Sequence, residues 1–514
     1  MKNRRDFITD TAAFSAVMAF AGCASAKWKA TVGAPMSGFV APETDVLRVG
    51  IIGLNRGAAG LKLLSTMPGS RVTAICDLNP ELIGRRQKEI TDCGRPPAKV
   101  YTGSPEAWKK MADDPEVDFV VVGTPWALHT PMAVYLMEHG KNVGVEVPAA
   151  MTVDECWQLV ETSERTRRVC MQLENRCYNE TEMMMFNAIR KGELGEVVYA
   201  ESGYIHEIRN VLMPKQFPDG TYEPWPKAPR IPSKGAIVDG LGWRGRVDKV
   251  HCGNLYPTHG VGPISQILGI NRGDNYDYIV AAETGSFALR EYAEEMYGVG
   301  SKEAKAAELK MGDHHVGLIR TKRGKLISLS HNVVTPRTGA RLSLVEGTKG
   351  AFLRHEGMTS MEILQPGDVW QVDDGFRHSL LKTPVVGTHR WCSPDCGAEY
   401  AKTFKHPLWR DLGEFARVFG GHGGQDTMMY ARIVYCFNKG LPLDQDVYDL
   451  AAWSSIVELS EKSVLAKGRS QDFPDFTRGA WKTRAPLEIG TIDADYVAAM
   501  TTALAKVNRR GSSL

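Results

Sequence analysis

The chain has 514 residues, of which 43% are hydrophobic and 24% charged, and a formal net charge of +2. That length exceeds one ordinary hydrophobic core, so two domains are expected. Near-balanced charge without a long basic block excludes nucleic acid as the main partner.

Residues 1–7 are basic and carry Arg4-Arg5 ahead of Asp6-Phe7-Ile8, and residues 11–21 are apolar. The apolar stretch is too short to span a bilayer as a mature helix. Paired arginines before it resemble a twin-arginine export signal over residues 1–26. Phe20-Ala21-Gly22-Cys23 also resembles a lipoprotein cleavage box, which makes Cys23 a candidate lipid anchor. Cleavage after Ala24-Ser25-Ala26 would instead release a soluble periplasmic protein, and both routes stay open. The expected localisation is therefore export, to the periplasm or to a membrane anchor. Residues 27–44, with Gly33, Pro35, Gly38 and Pro42, read as a tether.

From residue 45 short apolar runs alternate with helical stretches. Strands are expected at residues 47–52, 71–76, 119–122 and 142–147, and helices at 60–67, 80–91, 105–112, 131–138 and 153–166. This alternation implies right-handed crossovers and a parallel sheet covered on both faces, a doubly wound domain over residues 45–175. The texture then changes. Strands expected at 197–204, 276–286, 316–320, 327–331 and 342–345 lack regular crossover helices. Residues 176–514 therefore read as an α+β domain with a large, open, mostly antiparallel sheet, whose exposed face offers a surface for a homodimer. Residues 214–234 are rich in proline and glycine and read as a surface loop over a site. Helices are expected at 407–419 and 427–437, and at 447–467 a helix packing back between the domains. Of the ten cysteines, Cys76 and Cys170 lie in strand-like runs and read as buried thiols, while Cys392 and Cys396 flank Pro394 as a local disulfide. No Cys-x-x-Cys pair occurs, so no metal site is expected.

Val49-Gly50-Ile51-Ile52-Gly53-Leu54-Asn55-Arg56-Gly57 is an apolar strand entering a glycine turn, the arrangement that presents helix N–H groups to a pyrophosphate. Asn55 stands where a second glycine is usual, and a glycine turn alone is a weak signal. Asp77, closing the second strand, strengthens it, because a carboxylate there accepts from an adenosine ribose and selects NAD over NADP. The other reading of Asp77 is a cap for the next helix. Gly123-Thr124-Pro125-Trp126-Ala127-Leu128-His129 and Val145-Glu146-Val147-Pro148 leave two further strand ends, where open parallel sheets bind ligands. Trp126 and His129 would flank the nicotinamide ribose, unless His129 only caps a helix. Farther on, Asn254-Leu255-Tyr256-Pro257-Thr258-His259-Gly260 brings a phenol and an imidazole together, the usual means of moving protons on hydroxyls.

These residues resemble the Gfo/Idh/MocA oxidoreductase family, whose members often carry Glu-Lys-Pro after the fifth strand. Here the tripeptide is Glu146-Val147-Pro148, and Leu255 stands where an aspartate often precedes the site histidine. Both departures match the NAD-dependent glycosidases of glycoside hydrolase family 109, typified by α-N-acetylgalactosaminidase. The similarity runs through Glu174-Asn175-Arg176-Cys177-Tyr178, Gly203-Tyr204-Ile205-His206, Gly421-His422-Gly423-Gly424 and Pro474-Asp475-Phe476-Thr477-Arg478-Gly479. The resemblance implies hydrolysis of a terminal N-acetylgalactosamine or related glycoside by transient oxidation at C3, elimination, water addition and re-reduction, outside the usual two-carboxylate pattern. The alternative is an NAD-dependent sugar oxidoreductase or dehydrogenase, against which Val147 argues. NAD would be tightly bound and recycled, which suits a protein exported in folded form. By position, Asn55, Arg56, Gly57, Asp77, Trp126, His129, Glu146, Val147 and Asn175 would hold NAD. Tyr178, Tyr204, Arg244, Tyr256, Pro257, Thr258 and His259 would face the sugar. His259 or Tyr178 would transfer protons, Glu146 would orient the nicotinamide or a hydroxyl, and His422 is either a site residue or a loop histidine. Gly339 replaces a tyrosine usual in this family, removing a contact to the sugar or its leaving group.

Overall fold

The computed structural model describes residues 33–215, 237–337, 339–341, 344–353, 362–364, 400–488 and 490–511. The export signal with Cys23, most of the loop expected at 214–234, and Cys392 with Cys396 lie outside the described residues.

Six strands form a parallel sheet: β1 (Leu47–Ile52), β2 (Ser70–Cys76), β3 (Lys99–Tyr101), β4 (Phe119–Val122), β5 (Asn142–Val145) and β6 (Cys170–Gln172). Their order is β3-β2-β1-β4-β5-β6, with every pairing parallel. All residues of β4 and β5 are buried, as expected of central strands covered on both faces and written as continuous valine-rich runs. Helix Val153–Thr166 starts at a capping box in which Thr152 and Glu155 satisfy each other's backbone N–H groups. Strand β5 stops at Val145, two residues before the expected end, so Glu146 and Val147 have already left the sheet.

The second sheet has eight strands. They are β7 (Val197–Ile205), β8 (Tyr276–Glu283), β9 (His315–Thr321), β10 (Leu326–Asn332), β11 (Leu344–Gly347), β12 (Ala351–Leu353), β13 (Glu362–Leu364) and β14 (Gln471–Asp472). The order is β13-β12-β11-β7-β10-β9-β8-β14, antiparallel except for the β7–β10 pair. Burial alternates strictly along β9, the pattern of a sheet with one covered and one open face.

Two expectations need correction. The helix expected at 447–467 is interrupted at Ser455, giving Val447–Ser454 and Ile456–Leu465, where the Ser455 hydroxyl turns back to the Ala452 carbonyl. Residues 33–44 do not hang free as a tether. Met36 and Ala41 are buried in the core, and Arg167 donates to the Ala34 and Pro35 carbonyls. The C-terminal part also covers the first domain: Val447–Ser454 packs on Val153–Thr166, and Asn438 donates to the Thr44 and Gly69 carbonyls.

Candidate active site

Gly53 opens a crevice at the strand ends. Its φ is +84°, and a Cβ there would come 2.4 Å from the Gly123 carbonyl oxygen, so the turn after β1 lies directly against the exit of β4. Asp77 accepts the Leu54 N–H at Oδ2 and the Asn79 N–H at Oδ1, both at 2.8 Å. The helix after β2 is capped by Asn79, which accepts the Glu81 N–H. Asp77 therefore is not its cap; it fixes the glycine turn. Asn55 is exposed on that turn and Gly57 is buried.

Arg56 ties this turn to the rest of the molecule. Its Nε lies 3.0 Å from Glu146 Oε1, and its terminal nitrogens donate to Asp426 at 3.0 and 3.1 Å. Asn175 donates to the same carboxylate, and His422 Nδ1 lies 2.7 Å from Asp426 Oδ2. His422 thus joins the Arg56–Asp426 network. Burial opposes ionisation of Asp426, but Arg56 and His422 outweigh it and hold the carboxyl well below the usual range. Burial pushes Glu146 up, with Arg56 opposing.

His129 is buried, with Nδ1 2.8 Å from the Pro148 carbonyl oxygen and Nε2 2.7 Å from that of Thr124. Burial lowers it to about 4, so at neutral pH it carries one N–H and bonds one of the two carbonyls. It laces together the loops after β4 and β5. Between them Trp126 donates through Nε1 to the Val147 carbonyl at 3.1 Å.

Trp126 is the hinge to a second group of residues. Its ring centroid lies 5.8 Å from that of Tyr256, which lies 4.5 Å from Tyr204 and 5.0 Å from His259. Arg244, on helix Trp243–Val250, sits 5.2 Å over Trp126 and 4.9 Å over Tyr256, a cation held by ring faces. Pro257 precedes helix Thr258–Leu268, whose first residue is fully buried and whose second is His259. Gly260 allows this placement, since a Cβ there would meet the Gly203 backbone nitrogen at 2.8 Å. Two positions after Gly339, the Arg341 guanidinium covers the Tyr204 ring at 4.3 Å.

His259 Nδ1 lies 2.8 and 2.9 Å from the two oxygens of Glu174, which is wholly buried. Burial lowers His259 to about 4 despite Glu174, so the imidazole is neutral at neutral pH. For Glu174 burial favours the neutral form, but His259 and the Arg176 N–H outweigh it and keep the carboxylate ionised. Nδ1–H is therefore donated to Glu174, and Nε2 is an unprotonated base with no hydrogen-bond partner among the described residues.

Tyr178 is not brought to this group. It is buried in the main core, its hydroxyl donates to Asp444 at 3.0 Å, and Arg432 grips the same carboxylate at 2.8 and 3.1 Å. Four residues of the site escaped sequence reasoning: Glu174 as the partner of His259, Asp426 as the anchor of Arg56, and Asp248 and His331, which line the cavity with Trp126, Tyr204, Arg244 and Tyr256. Leu255 in place of an aspartate was the available signal that the histidine takes its carboxylate from elsewhere.

A dinucleotide fits the crevice. Beside the Arg56 network the Asn175 Oδ1 and the Tyr430 hydroxyl are buried without a hydrogen-bond partner among the described residues, two polar atoms left for a ligand. Residues 47–173 match the model of the oxidoreductase family with an NAD-binding Rossmann fold, GFO_IDH_MocA, and residues 178–483 match the glycosyl hydrolase 109 C-terminal domain. A glycosyl hydrolase family 109 protein of Shewanella pealeana is 38% identical over 494 residues, 95% of this chain and 99% of its own. One of Shewanella amazonensis is 37% identical over the same shares. Among solved structures, levoglucosan dehydrogenase in complex with NADH has a TM-score of 0.56 at 17% identity, over 84% of this chain and 100% of its own. An oxidoreductase domain protein from Kribbella flavida has a TM-score of 0.56 at 15% identity over the same shares. These two share the fold. With an NAD-binding Rossmann domain, a matching C-terminal domain and such relatives along almost its full length, the chain belongs to glycosyl hydrolase family 109.

Proposed function

We propose that this protein is an exported glycosidase that cleaves terminal N-acetylgalactosamine or a related sugar, with NAD held tightly and returned to its starting state in each turnover. The observation that carries this reading is the Glu174–His259 dyad, set beside Tyr204 and Tyr256 where the two domains meet. Val147 supports it too, because an ammonium usual in the dehydrogenases is missing there. NAD, when bound, supplies a hydride acceptor that serves again as donor at the end of the cycle. Asp77, Arg56 and Asn175 would hold it. His259 Nε2 takes a proton from the sugar and returns one, while Glu174 fixes the tautomer and stabilises the imidazolium. Trp126 and Tyr256 wall the site against water. Tyr178 is assigned no proton transfer, since its hydroxyl is committed to Asp444. The basic, apolar leader supports export, either to a lipid anchor at Cys23 or, after cleavage past Ala26, to the periplasm.

The test is hydrolysis of p-nitrophenyl α-N-acetylgalactosaminide by purified mature protein in deuterated buffer without added reductant. Sugar released with deuterium at C2 and no accumulating NADH is expected. NADH accumulation with free sugars would make the protein a dehydrogenase, and neither signal would discard this substrate.

A further inference from the structure

Gly60 ends the short 3-10 turn that follows Arg56, with φ −90°, outside the left-handed region that calls for glycine. What forbids a side chain there is Tyr430. A Cβ on Gly60 would come 2.5 Å from Cδ2 and Cε2 of the Tyr430 ring, so the glycine makes room for the phenol. Tyr430 stands on helix Gln425–Asn438, one turn after Asp426 and on the same face. Helical side chains lean back toward the N-terminus, which directs this ring toward Asp426 and the network it anchors. Arg56, Glu146 and Asp426 are the charged groups that act on the phenol, in keeping with that direction. For packing on Gly60 a phenylalanine would serve, and the hydroxyl needs another reason. Tyr430 is 1% exposed and its oxygen has no hydrogen-bond partner among the described residues, a state that costs stability unless a ligand completes it.

Asn175 supplies the complement. Its Nδ2 donates to Asp426, which turns Oδ1 the other way, and that oxygen too is buried without a partner among the described residues. One donor and one acceptor are therefore left open next to Asp426. A primary amide offers the matching pair, a carbonyl oxygen and an N–H. A phosphate offers acceptors alone, and the Asp426 and Glu146 carboxyls beside the phenol favour a neutral group. We propose that Tyr430 is a cofactor-binding residue whose hydroxyl donates to the carbonyl oxygen of the nicotinamide carboxamide, while Asn175 Oδ1 accepts from its amide nitrogen. This rests on the crevice holding NAD and on nothing about the sugar.

The experiment equilibrates the purified mature protein, wild type and Tyr430→Phe, with an excess of NAD and ADP-ribose at equal concentrations, and quantifies the nucleotides released by acid from the washed protein. ADP-ribose keeps both riboses and both phosphates and lacks only the nicotinamide, so the bound ratio of NAD to ADP-ribose reads contacts to that ring and its amide. In Tyr430→Phe the ratio should fall about threefold to tenfold, the change that one hydrogen bond supplies, and the melting temperature should not drop, since the hydroxyl has no partner to lose within the chain. With thionicotinamide adenine dinucleotide in place of NAD, whose sulfur is a poor acceptor, the two proteins should give equal ratios. An unchanged NAD ratio would overturn the proposal: with total nucleotide retained, the phenol only packs on Gly60, and with total nucleotide reduced, its hydroxyl serves the shared ribose or diphosphate. A wild type that retains neither nucleotide would overturn the NAD reading itself, and the proposal with it.

Discussion

The two sides of the crevice treat their polar groups in opposite ways. On the cofactor side Arg56, Glu146, Asp426, Asn175 and His422 form one network of salt bridges and hydrogen bonds, at whose margin the Asn175 Oδ1 is left for a ligand. On the other side rings from both domains crowd together while His331 Nδ1 and the Nε2 of His259 keep hydrogen-bonding capacity in hand. A charged network holds geometry; neutral rings with uncommitted nitrogens hold capacity for a ligand. Glu174 and Asn175, consecutive residues beyond β6, serve one side each, so the two are fixed relative to each other by a single stretch of backbone. His259→Gln should break the sugar side alone. Loss of a positioned acid–base group lowers kcat by about 10²–10⁴, while NAD content and melting temperature stay near wild type. With His259 lowered to about 4, its base form persists at every higher pH, and wild-type kcat should lose its His259 contribution only as the pH drops through about 4.

Asp426→Asn breaks the other side. A severed buried ion pair costs about 3–5 kcal/mol; Arg56 is 32% exposed, so water screens part of this. About 2–3 kcal/mol of stability should be lost in chemical denaturation. NAD released by acid precipitation of the purified protein should decline with it. A variant with full NAD content would show that the network is not what holds the turn for the cofactor.

Gly260→Ala probes the contact that brings the sides together. The added methyl must displace the Gly203 backbone, an overpacking cost of about 1–3 kcal/mol. Helix Thr258–Leu268 should move off β7 with His259 near its start, so kcat should fall more than KM rises.

The doubly wound domain was legible because β4 is an unbroken apolar run, β1 is apolar after Arg48 and β5 after Asn142, and helix Val153–Thr166 carries its own start signal in Thr152 and Glu155. The second sheet was legible through alternation, plainest in β9. Strand β3 was not, since three residues carry no period. The candidate site divides in the same way. Asp77, Trp126, Tyr256 and His259 stand in local motifs at strand ends or helix starts. The pairings that give them their geometry join residues 85 positions apart for Glu174 and His259, and 251 for Asn175 and Asp426. No window of sequence contains both members of such a pair.

Tyr178 shows the limit of a local motif most directly. It follows Glu174 and Asn175 within one short segment, and its neighbours do face the crevice. The segment Asn175–Tyr178 is a tight 3-10 turn, however, and its end places Tyr178 in the core, under Trp409, whose Nε1 donates to the Tyr178 carbonyl at 2.8 Å. Burial raises its hydroxyl well above the ordinary tyrosine range, with the Asp444 charge adding to the effect, so the phenol stays protonated as a donor. Tyr178→Phe removes one hydrogen bond from a carboxylate that Arg432 still holds at both oxygens. The expected loss is about 1 kcal/mol of stability, with kcat and its pH dependence unchanged. A drop in kcat on the scale of His259→Gln would return Tyr178 to the proton-transfer role and require its hydroxyl to leave Asp444 during turnover.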